Sequence, residues 1–564
     1  MPDVHIKIDD QELTVPHTFT ILQAAEKAGI QIPRLCAHPA LASIGACRIC
    51  LVEVEKQRVL QPACTFPVSE GMVVHTKTPK VVGARRFVLE LLFSERNHFC
   101  MYCEMSGSCE LQTLAYEYGL DHWEYDRAFP KLSVDASRKF FVMDHNRCIL
   151  CRRCIRACDN LVGNQTLGTK NRGAHTLIVA DMDVPFGQSS CVSCGTCLQV
   201  CPTGALFDRA SAYMGATQEI TRVKSRCTAC SIGCGVEWVI RQNRLIRIEG
   251  DWEAEPNKGL LCEMGRFAPL HDNRQRVRTP LIKSSKGFQE ASWDQAAGLV
   301  AEKLQAAGAG LNVVVSALAT TEAGRAIVKG LPGYKSLAEG VAPSGTGMCL
   351  CTLDQADFYI VVNTDLAKQF PVASFAVKRG VRGRGARLIV LDDAETGLDG
   401  WATRKWPPKE SAQAIELAAG AQTPVIVYGP AGAKRAAELA AALPKSKRVA
   451  FAPGGNTLGL IAAGITATAP QKGASTFYVL ADEMAQPSAE LMAALEQARF
   501  VAVQACYREP WQEVADVILP TPTNYEKDGT IINTEGQTLT LRAGITHKLT
   551  SEVAVIELLS ELIK

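Results

Sequence analysis

Two short stretches decide how this sequence is interpreted: CILCRRCIRACD at residues 148–159 and CVSCGTCLQVCP at residues 191–202. Both carry the spacing C-x2-C-x2-C-x3-C, which is typical of proteins that bind two 4Fe-4S clusters. In that spacing the fourth cysteine of each run binds the other cluster. We therefore assign two crossed ligand sets, one of Cys148, Cys151, Cys154 and Cys201, the other of Cys191, Cys194, Cys197 and Cys158.

A further group of four cysteines lies downstream, at Cys227, Cys230, Cys234 and Cys262. The segment VEWVIRQNRLIRIEG between the third and the fourth predicts a hairpin that turns at Gln242-Asn243. The group resembles the cluster domain at the head of molybdopterin oxidoreductases and of the complex I large subunit, which implies a 4Fe-4S cluster. A zinc ribbon is the alternative, but three of these cysteines crowd into eight residues, whereas zinc ribbons favour two separate C-x2-C pairs.

Upstream of the paired runs stands a group that lacks one ligand. Cys100, Cys103 and Cys109 provide three thiolates within ERNHFCMYCEMSGSCELQ, and His98 lies two residues before the first of them. An imidazole can supply the missing ligand, so we predict a 4Fe-4S cluster held by His98 and the three cysteines. His75 and an exogenous ligand are the alternatives. Arg96 is not one of them, because a guanidinium stays protonated and cannot bind iron.

The first cysteine group follows a short strand-turn-strand pattern. Val4, Ile6 and Ile8 alternate as in a half-buried strand, Asp9-Asp10 predicts a turn, and TILQAAEKAGI predicts a helix. This arrangement resembles plant-type ferredoxins, in the variant with a long first gap found in respiratory complex I and iron-only hydrogenases. The resemblance implies a 2Fe-2S cluster bound by Cys36, Cys47, Cys50 and Cys64. A four-thiolate zinc site would want two C-x2-C pairs, and only one is present.

Composition and counting agree with these groups. The chain has 564 residues and 22 cysteines, and its net charge of +2 provides no basic field for nucleic acid. Nineteen cysteines and His98 make twenty ligands, which is five clusters of four. The other three cysteines, Cys349, Cys351 and Cys506, are expected to be buried small apolar residues. With no signal peptide and no long apolar run evident, we expect a soluble, cytoplasmic protein without a direct membrane span.

The second half of the chain has a different pattern. From about Arg278 onward, apolar runs such as NVVVSALATT, DFYIVVNTD and ARLIVLDD alternate with alanine-rich helical stretches. Runs of this kind suit parallel strands that are covered on both faces, so we predict a doubly wound α/β region. Within YGPAGAKRAAEL, Gly429 and Gly432 could serve phosphate binding or close packing; we favour packing, because the pattern is not G-x-G-x-x-G.

This half also resembles the molybdopterin-type domains of the complex I large subunit, through SWDQA near Trp293 and ADVILPTPTNYEKDGTIINTEGQ at residues 515–537. Active formate dehydrogenases of that family carry Cys or selenocysteine followed by His, where this sequence has only Cys349-Leu350-Cys351-Thr352. Met264 replaces their lysine between cluster and pterin, and about 300 residues after Cys262 are few for the domains that enclose molybdenum. We therefore expect a retained scaffold without a molybdenum cofactor.

We thus expect a multidomain α+β and α/β protein. Its predicted domains are a β-grasp 2Fe-2S ferredoxin domain (residues 1–78), a small helical 4Fe-4S domain with one histidine and three cysteine ligands (79–138), a two-cluster ferredoxin domain (139–219), a molybdopterin-oxidoreductase-type 4Fe-4S domain (220–275) and an α/β molybdopterin-oxidoreductase-like region (276–564).

The spacing His98-Phe99-Cys100 narrows the resemblance. Complex I large subunits usually show H-x3-C there, whereas H-x-C is similar to the iron–sulfur diaphorase subunit of soluble NAD-linked hydrogenases. The resemblance implies an electron relay between a flavin-binding NAD(P)H subunit and a hydrogenase, in a simple or an electron-bifurcating complex. A small 2Fe-2S subunit and a ferredoxin are further expected partners. The alternative is the large iron–sulfur subunit of an NAD-linked formate dehydrogenase or of a complex I-type NADH:quinone oxidoreductase. No residue is predicted to be catalytic, since no flavin site or further cysteine-rich region is evident.

Overall fold

The computed structural model describes residues 3–339, 349–471 and 473–564. The chain divides into two compact units, Met1–Ile220 and Thr221–Lys564, which are described separately below. Among the described residues, no helix combines the length and the apolar character that a bilayer crossing requires.

The first unit begins with a five-stranded mixed sheet in the order β2-β1-β5-β3-β4. The predicted strand, turn and helix are confirmed: β1 buries Val4, Ile6 and Ile8, and Asp9 adopts a left-handed conformation with φ +50°. Thr20 caps the helix through a capping box with Gln23. The elements are β1 (Asp3–Ile8), β2 (Gln11–Pro16), α1 (Ile21–Lys27), β3 (Leu51–Val54), β4 (Gln61–Pro62) and β5 (Met72–His75).

Two helices follow, α2 (Pro79–Glu95) and α3 (Glu110–Glu117). Helix α2 begins with a proline after the N-cap Thr78, whose side chain accepts a hydrogen bond from the backbone of Val81. The apolar faces of both helices meet in one buried cluster with Leu35 and Ile49, which belong to the first cysteine loop. This packing fixes the second cysteine group beside the first.

The two cysteine runs lie in a region with very short elements. These are β6 (Val134–Asp135), β7 (Phe141–Asp144), α4 (Arg153–Arg156), β8 (Leu167–Lys170), β9 (Leu177–Ala180), α5 (Thr196–Gln199) and β10 (Leu206–Asp208). They form a three-stranded sheet in the order β10-β7-β6 and a β8-β9 hairpin. Each helix follows a residue in the left-handed region, Arg152 (φ +57°) before α4 and Gly195 (φ +68°) before α5. The backbone therefore curls tightly before each run's third cysteine.

The second unit opens with a three-stranded antiparallel sheet of β11 (Thr221–Arg226), β12 (Gly235–Arg241) and β13 (Arg244–Gly250), followed by α6 (Glu263–Arg266). The predicted hairpin is confirmed, because Gln242 and Asn243 connect β12 to β13 with φ values of +50° and +57°. Two consecutive left-handed residues are what a two-residue type I′ turn requires.

The remaining elements are β14 (Leu281–Ser284), β15 (Gly287–Glu290), α7 (Trp293–Ala307), β16 (Leu311–Val315), α8 (Thr321–Gly330), β17 (Tyr334–Leu337), α9 (Cys351–Gln355), β18 (Phe358–Val362), α10 (Leu366–Gln369), α11 (Pro371–Arg384), β19 (Arg387–Leu391), β20 (Arg404–Trp406), α12 (Ser411–Ala418), β21 (Pro424–Tyr428), α13 (Ala433–Ala442), β22 (Lys447–Ala450), α14 (Thr457–Ala462), β23 (Thr476–Asp482), α15 (Ala489–Glu496), β24 (Phe500–Ala505), β25 (Val517–Pro520), β26 (Gly529–Ile532), β27 (Thr538–Leu541) and α16 (Glu552–Ile563).

These strands form two large sheets and the small β26-β27 hairpin. One large sheet has the order β20-β19-β18-β21-β22 and is parallel throughout; the other has the order β15-β14-β25-β24-β23-β16-β17, with β25 to β17 parallel. In each parallel part the chain builds one side from a central strand and then the other, as in doubly wound sheets. The mixed α/β character of this half is thus observed.

Close packing explains the two glycines of the YGPAGAKRAAEL turn. A Cβ on Gly432 would lie 2.4 Å from the carbonyl oxygen of Val362, and a Cβ on Gly429 would lie 3.0 Å from Oγ1 of Thr364. Glycine is therefore needed where the turn after β21 crosses the end of β18, and the packing interpretation is sufficient.

Candidate iron–sulfur sites

The four cysteines of the first group form one buried site at the edge of the five-stranded sheet. Cys36, Cys50 and Cys64 are at most 1% exposed, and the backbone nitrogen of Cys36 lies 3.3 Å from Sγ of Cys47. Hydrogen bonds from Cys47 and Cys64 lower the pKa of Cys36, and the same contact raises the pKa of Cys64. A hydrogen bond from Cys64 also lowers the pKa of Cys50. The four sulfur atoms therefore converge, and two of them, those of Cys36 and Cys50, favour the thiolate form that iron requires.

The second group surrounds a small cavity that is lined by His98, Cys100, Cys103 and Cys109. Nε2 of His98 is buried there and has no hydrogen-bond partner among the described residues. Burial, followed by the charges of Arg147 and Arg96, lowers the pKa of His98 to about 3, so the imidazole is neutral at neutral pH. A buried, unpaired ring nitrogen costs free energy, and coordination to iron would satisfy it.

The alternative ligand for this site lies elsewhere. Nε2 of His75 is 3.1 Å from Oε1 of Glu55, and both residues belong to the five-stranded sheet region. Burial raises the pKa of Cys109 to about 12, so the protonated thiol is favoured until a metal replaces the proton. The cavity itself depends on Gly204, where a Cβ would lie 2.8 Å from Sγ of Cys103.

The two cysteine runs line two separate cavities, and each cavity draws one cysteine from the opposite run. One is lined by Cys148, Cys151, Cys154 and Cys201; the other is lined by Cys158, Cys191, Cys194 and Cys197. The structure thus brings together the same two sets that the spacing predicts. Burial raises the pKa of Cys154 and of Cys197 well above the usual range of a thiol.

The last group closes around the loop between β11 and β12. The backbone N–H of Cys227 donates to the carbonyl oxygen of Cys234 over 2.8 Å, and Cys262 joins them from the start of α6. Burial and the neighbouring Cys262 thiolate raise the pKa of Cys227 to about 12. The fit is tight, since a Cβ on Gly265 would lie 3.2 Å from Sγ of Cys227.

These five groups suit iron–sulfur clusters chemically. Each group offers four donors in the kind of buried setting that such clusters favour. The group of His98 has three thiols and one imidazole, and each of the other four groups has four thiols. Among the described residues, no three His, Cys, Asp or Glu side chains are arranged to hold a single metal ion. In a 4Fe-4S cluster each ligand binds a different iron atom.

Sequence reasoning missed a buried arginine between the sites. Arg153 is 2% exposed; its guanidinium binds both carboxylate oxygens of Glu110 at 2.7 and 3.0 Å and donates to the carbonyl oxygen of Ala37 over 2.8 Å. Those two residues directly follow Cys109 and Cys36, and Arg153 itself precedes Cys154. One side chain therefore joins the loops of three predicted clusters. The alternation of arginine and cysteine in CRRCIRACD was the signal that could have revealed it.

Two further arginines add positive charge beside the predicted clusters. Arg156 donates to the carbonyl oxygens of Cys36 and Cys151, which belong to different ligand sets. Arg147 lines the His98 cavity and makes an ion pair with Asp144, with Nε and Oδ2 separated by 3.6 Å. Such charges offset the negative charge of thiolate-bound clusters and so influence reduction potentials.

The expectation for the three leftover cysteines is partly wrong. Cys506 is fully buried, as expected, and its thiol donates to the carbonyl oxygen of Pro522 over 3.2 Å. Cys349 and Cys351, however, are exposed, and their sulfur atoms are bonded to each other. The apolar residues near the two cysteines suggested burial, and Leu350 and Leu353 are indeed buried, but the two cysteines are not.

Comparison with known protein families gives five matches along the chain. They are described as a 2Fe-2S iron-sulfur cluster binding domain (residues 2–79), the NADH-ubiquinone oxidoreductase-G iron-sulfur binding region (85–123), the NADH-quinone oxidoreductase subunit 3 ferredoxin-like domain (139–207), the molybdopterin oxidoreductase Fe4S4 domain (220–273) and molybdopterin oxidoreductase (429–551). Iron–sulfur domains of both the 2Fe-2S and the 4Fe-4S kind are therefore present.

Two NADH-quinone oxidoreductase subunits and one solved structure are among the proteins to which this chain is similar. The chain is 28% identical to NADH-quinone oxidoreductase subunit 3 of Thermus thermophilus, over 95% of this chain and 80% of the relative. It is 30% identical to an NADH-quinone oxidoreductase subunit of Rhizobium meliloti over 70% of this chain, and spans only 48% of that relative's length. A crystal structure of NAD+-reducing [NiFe]-hydrogenase shares 34% identity over 38% of this chain and 90% of that chain, with a TM-score of 0.35.

Proposed function

We propose that this chain, which carries the iron–sulfur domains typical of NADH-quinone oxidoreductases and of NAD-reducing hydrogenases, relays electrons through five clusters. One 2Fe-2S cluster and four 4Fe-4S clusters use all twenty predicted ligands. The observation that carries the proposal is the convergence of nineteen cysteines and His98 into five groups of four. When bound, such clusters supply one-electron carriers.

The side chains of this region hold and tune those carriers. Cys158 belongs to the first run in sequence but lines the cavity of the second, and Cys201 does the reverse, so these two residues connect the two sites. Arg153 and Arg156 connect the first cysteine loop to the paired runs through hydrogen bonds to backbone carbonyls. Neutral His98 would leave its cluster less negative than four thiolates, which favours reduction.

We further propose that the partners are a flavin-binding NAD(P)H subunit, a small 2Fe-2S subunit and a hydrogenase catalytic subunit, in a complex that is either simple or electron-bifurcating, with ferredoxin as a further partner. The H-x-C spacing at His98-Phe99-Cys100 supports the hydrogenase. The chain would not be catalytically self-sufficient, because its predicted ligands are all assigned to electron carriers.

A quinone-reducing complex of the complex I type is the second candidate. The names of the relatives from Thermus thermophilus and Rhizobium meliloti favour it, and the former is similar over 95% of this chain. An NAD-linked formate dehydrogenase is the third, through the molybdopterin oxidoreductase match over residues 429–551.

In the part of the second half that the structure describes, residues 276–339, 349–471 and 473–564, the arrangement at the sheet's switch point does not fit a molybdenum cofactor. Ligands of doubly wound sheets bind at the carboxyl ends of the strands where the order reverses, which here lies between β16 and β23. Nζ of Lys527 occupies that place, 2.7 Å from Oδ2 of Asp482 and 3.2 Å from the carbonyl oxygen of Leu318. We propose that residues 276–564 serve as a scaffold.

For the rest of the chain we propose four cluster-binding domains with the limits predicted from the sequence: 1–78, 79–138, 139–219 and 220–275.

The proposed relay is tested by purifying the complex through a tag on this chain and freezing it at intervals after NADH or NADPH is added. Electron paramagnetic resonance should show reduced 2Fe-2S and 4Fe-4S signals within the catalytic turnover time. Hydrogen uptake, formate oxidation and quinone reduction by the same sample discriminate the three candidate complexes. Clusters that stay oxidised while the complex turns over would contradict the relay.

A further inference from the structure

Cys349 and Cys351 form a disulfide outside all five predicted ligand sets. Both residues are exposed, and their Cα atoms are 5.2 Å apart with only Leu350 between them. Leu350 is buried and anchors the pair to the protein. The disulfide therefore stands on a fixed point of the second unit and presents its sulfur atoms to solvent.

A stabilising role does not account for this disulfide. A cross-link restricts the unfolded chain more when it closes a longer loop, and this one encloses a single residue. Exposed disulfides are also the ones that exchange readily with thiols, whereas structural disulfides are protected from reductants. The position and the loop size both indicate chemistry rather than stability.

The disulfide lies close to the loop of the last cysteine group. The backbone N–H of Leu350 donates to Oε1 of Glu535 over 2.9 Å, and the N–H of the adjacent Thr534 donates to the carbonyl oxygen of Ser231 over 2.7 Å. Ser231 directly follows the predicted ligand Cys230. The route from the disulfide to the ligand loop therefore consists of these two hydrogen bonds and two steps along the backbone, one from a cysteine to Leu350 and one from Glu535 to Thr534. Each backbone step spans about 3.8 Å between Cα atoms.

We propose that Cys349 and Cys351 form a reversible thiol–disulfide redox site that draws its electrons from the iron–sulfur groups of this chain. The S–S bond breaks on uptake of two electrons and two protons and yields two thiols, and loss of the same electrons and protons restores the bond. The reduced pair then reduces a disulfide substrate by exchange, forming two substrate thiols. The supply of electrons rests on the proposed relay function, whereas the reversibility of the disulfide does not.

The disulfide itself is tested with dithiothreitol on the full, cluster-loaded chain under anaerobic conditions. The thiols are alkylated after equilibration, and the tryptic peptide of residues 336–368, which contains only these two cysteines, is weighed by mass spectrometry. We expect an unmodified peptide before reduction, two alkyl groups after it, and the unmodified peptide again after reoxidation. Two alkyl groups without any reductant, or none after reduction, overturn the proposal.

The supply of electrons is tested with reduced methyl viologen. About two reducing equivalents per chain are mixed rapidly with the oxidised, cluster-loaded chain, so that the reductant is consumed while the disulfide is still closed, and the visible absorbance of the clusters is followed together with thiol content. We expect the natural chain to recover absorbance equivalent to two electrons while two thiols form. The variant with both Cys349→Ser and Cys351→Ser should stay bleached, and Cys506→Ala, which removes a cysteine outside the pair, should behave like the natural chain.

Equal persistence of the bleached state in the natural chain and the double variant overturns the electron supply. Failure of the relay function gives a different result, since the clusters would then not bleach with viologen at all. In that case the dithiothreitol titration still decides whether the disulfide is reversible.

Discussion

The region of the paired cysteine runs and the α/β half of the chain obtain their structure in different ways. Between residues 139 and 208 the two α-helices have four residues each and the strands have three or four. In the α/β half, α7 has 15 residues, and five parallel strands bury an apolar cluster that includes Val313, Leu480 and Ala502. Because the elements of the paired-run region are short and surround eight predicted ligands, we expect this region to depend on bound metal more than the α/β half does.

The 2Fe-2S region lies between these extremes. It offers four ligands, but Ile6, Ile8, Val52 and Val74 also form a buried apolar core with α1. We therefore expect its fold to survive the loss of metal better than the paired runs do.

Removal of iron should produce the largest difference between the two regions. After chelation under reducing conditions, backbone amides of residues 139–208 should exchange at least about tenfold faster, because the thiols lose the bonds that hold short elements together. Amides of β18 and β23 should keep their protection. Hydrogen exchange with mass spectrometry on loaded and stripped chains measures both, and equal loss in the two regions would contradict the account.

A cavity in the α/β core should destabilise the second unit and leave the predicted clusters of the first unit unchanged. Ile389 is fully buried in β19, and Ile389→Ala should lower the free energy of unfolding of the second unit by about 2–5 kcal/mol. Leu562→Ala is the matched control, since Leu562 is 48% exposed and its loss should cost about 0.5 kcal/mol or less. Thermal unfolding measures stability, and the visible spectrum of the clusters in the first unit should not change in either variant.

Glu339 should make the α/β half sensitive to pH. Burial raises the pKa of Glu339 to about 7, although its carboxylate accepts the backbone N–H of Ala317. The folded state then binds more protons than the unfolded state between about pH 4.5 and 7, so the free energy of unfolding should fall as pH rises through that range, by about 1–3 kcal/mol.

Glu339→Gln keeps the shape and removes the titration. Denaturant unfolding of the second unit at several pH values should show that the free energy of unfolding falls less with rising pH in this variant than in the natural chain. An equal decline in the natural chain and the variant would show that other groups cause it.

The smallest effect should concern redox properties rather than stability. His98→Cys would add a thiolate and negative charge, so its cluster should be harder to reduce by at least about 60 mV, a tenfold change in a one-electron equilibrium. His98→Ala should leave a labile or three-iron cluster. Potentiometric titration with electron paramagnetic resonance measures both variants, and an unchanged potential would remove His98 from the site.

The grouping of the cysteines and the mixed α/β character of the fold could be predicted from the sequence, because they depend on local spacing and periodicity. The assignment of each group to a cluster stays a prediction. The hairpin at Gln242-Asn243 and the strand β1 followed directly from residue types and periodicity. The connection made by Arg153 could not be predicted, since Ala37 and Glu110 lie 116 and 43 residues away from it in the chain. The exposure of Cys349 and Cys351 was missed for a similar reason, because burial there is decided by tertiary packing around Leu350.

The metal content of the purified chain tests the central claim most directly. Iron, acid-labile sulfide, zinc and molybdenum should be measured together against protein concentration by amino-acid analysis. One two-iron and four four-iron clusters predict about eighteen irons and about as many sulfides per chain, with no stoichiometric zinc or molybdenum. About ten irons per chain, or a full complement of zinc, would contradict the assignment of twenty ligands to five clusters.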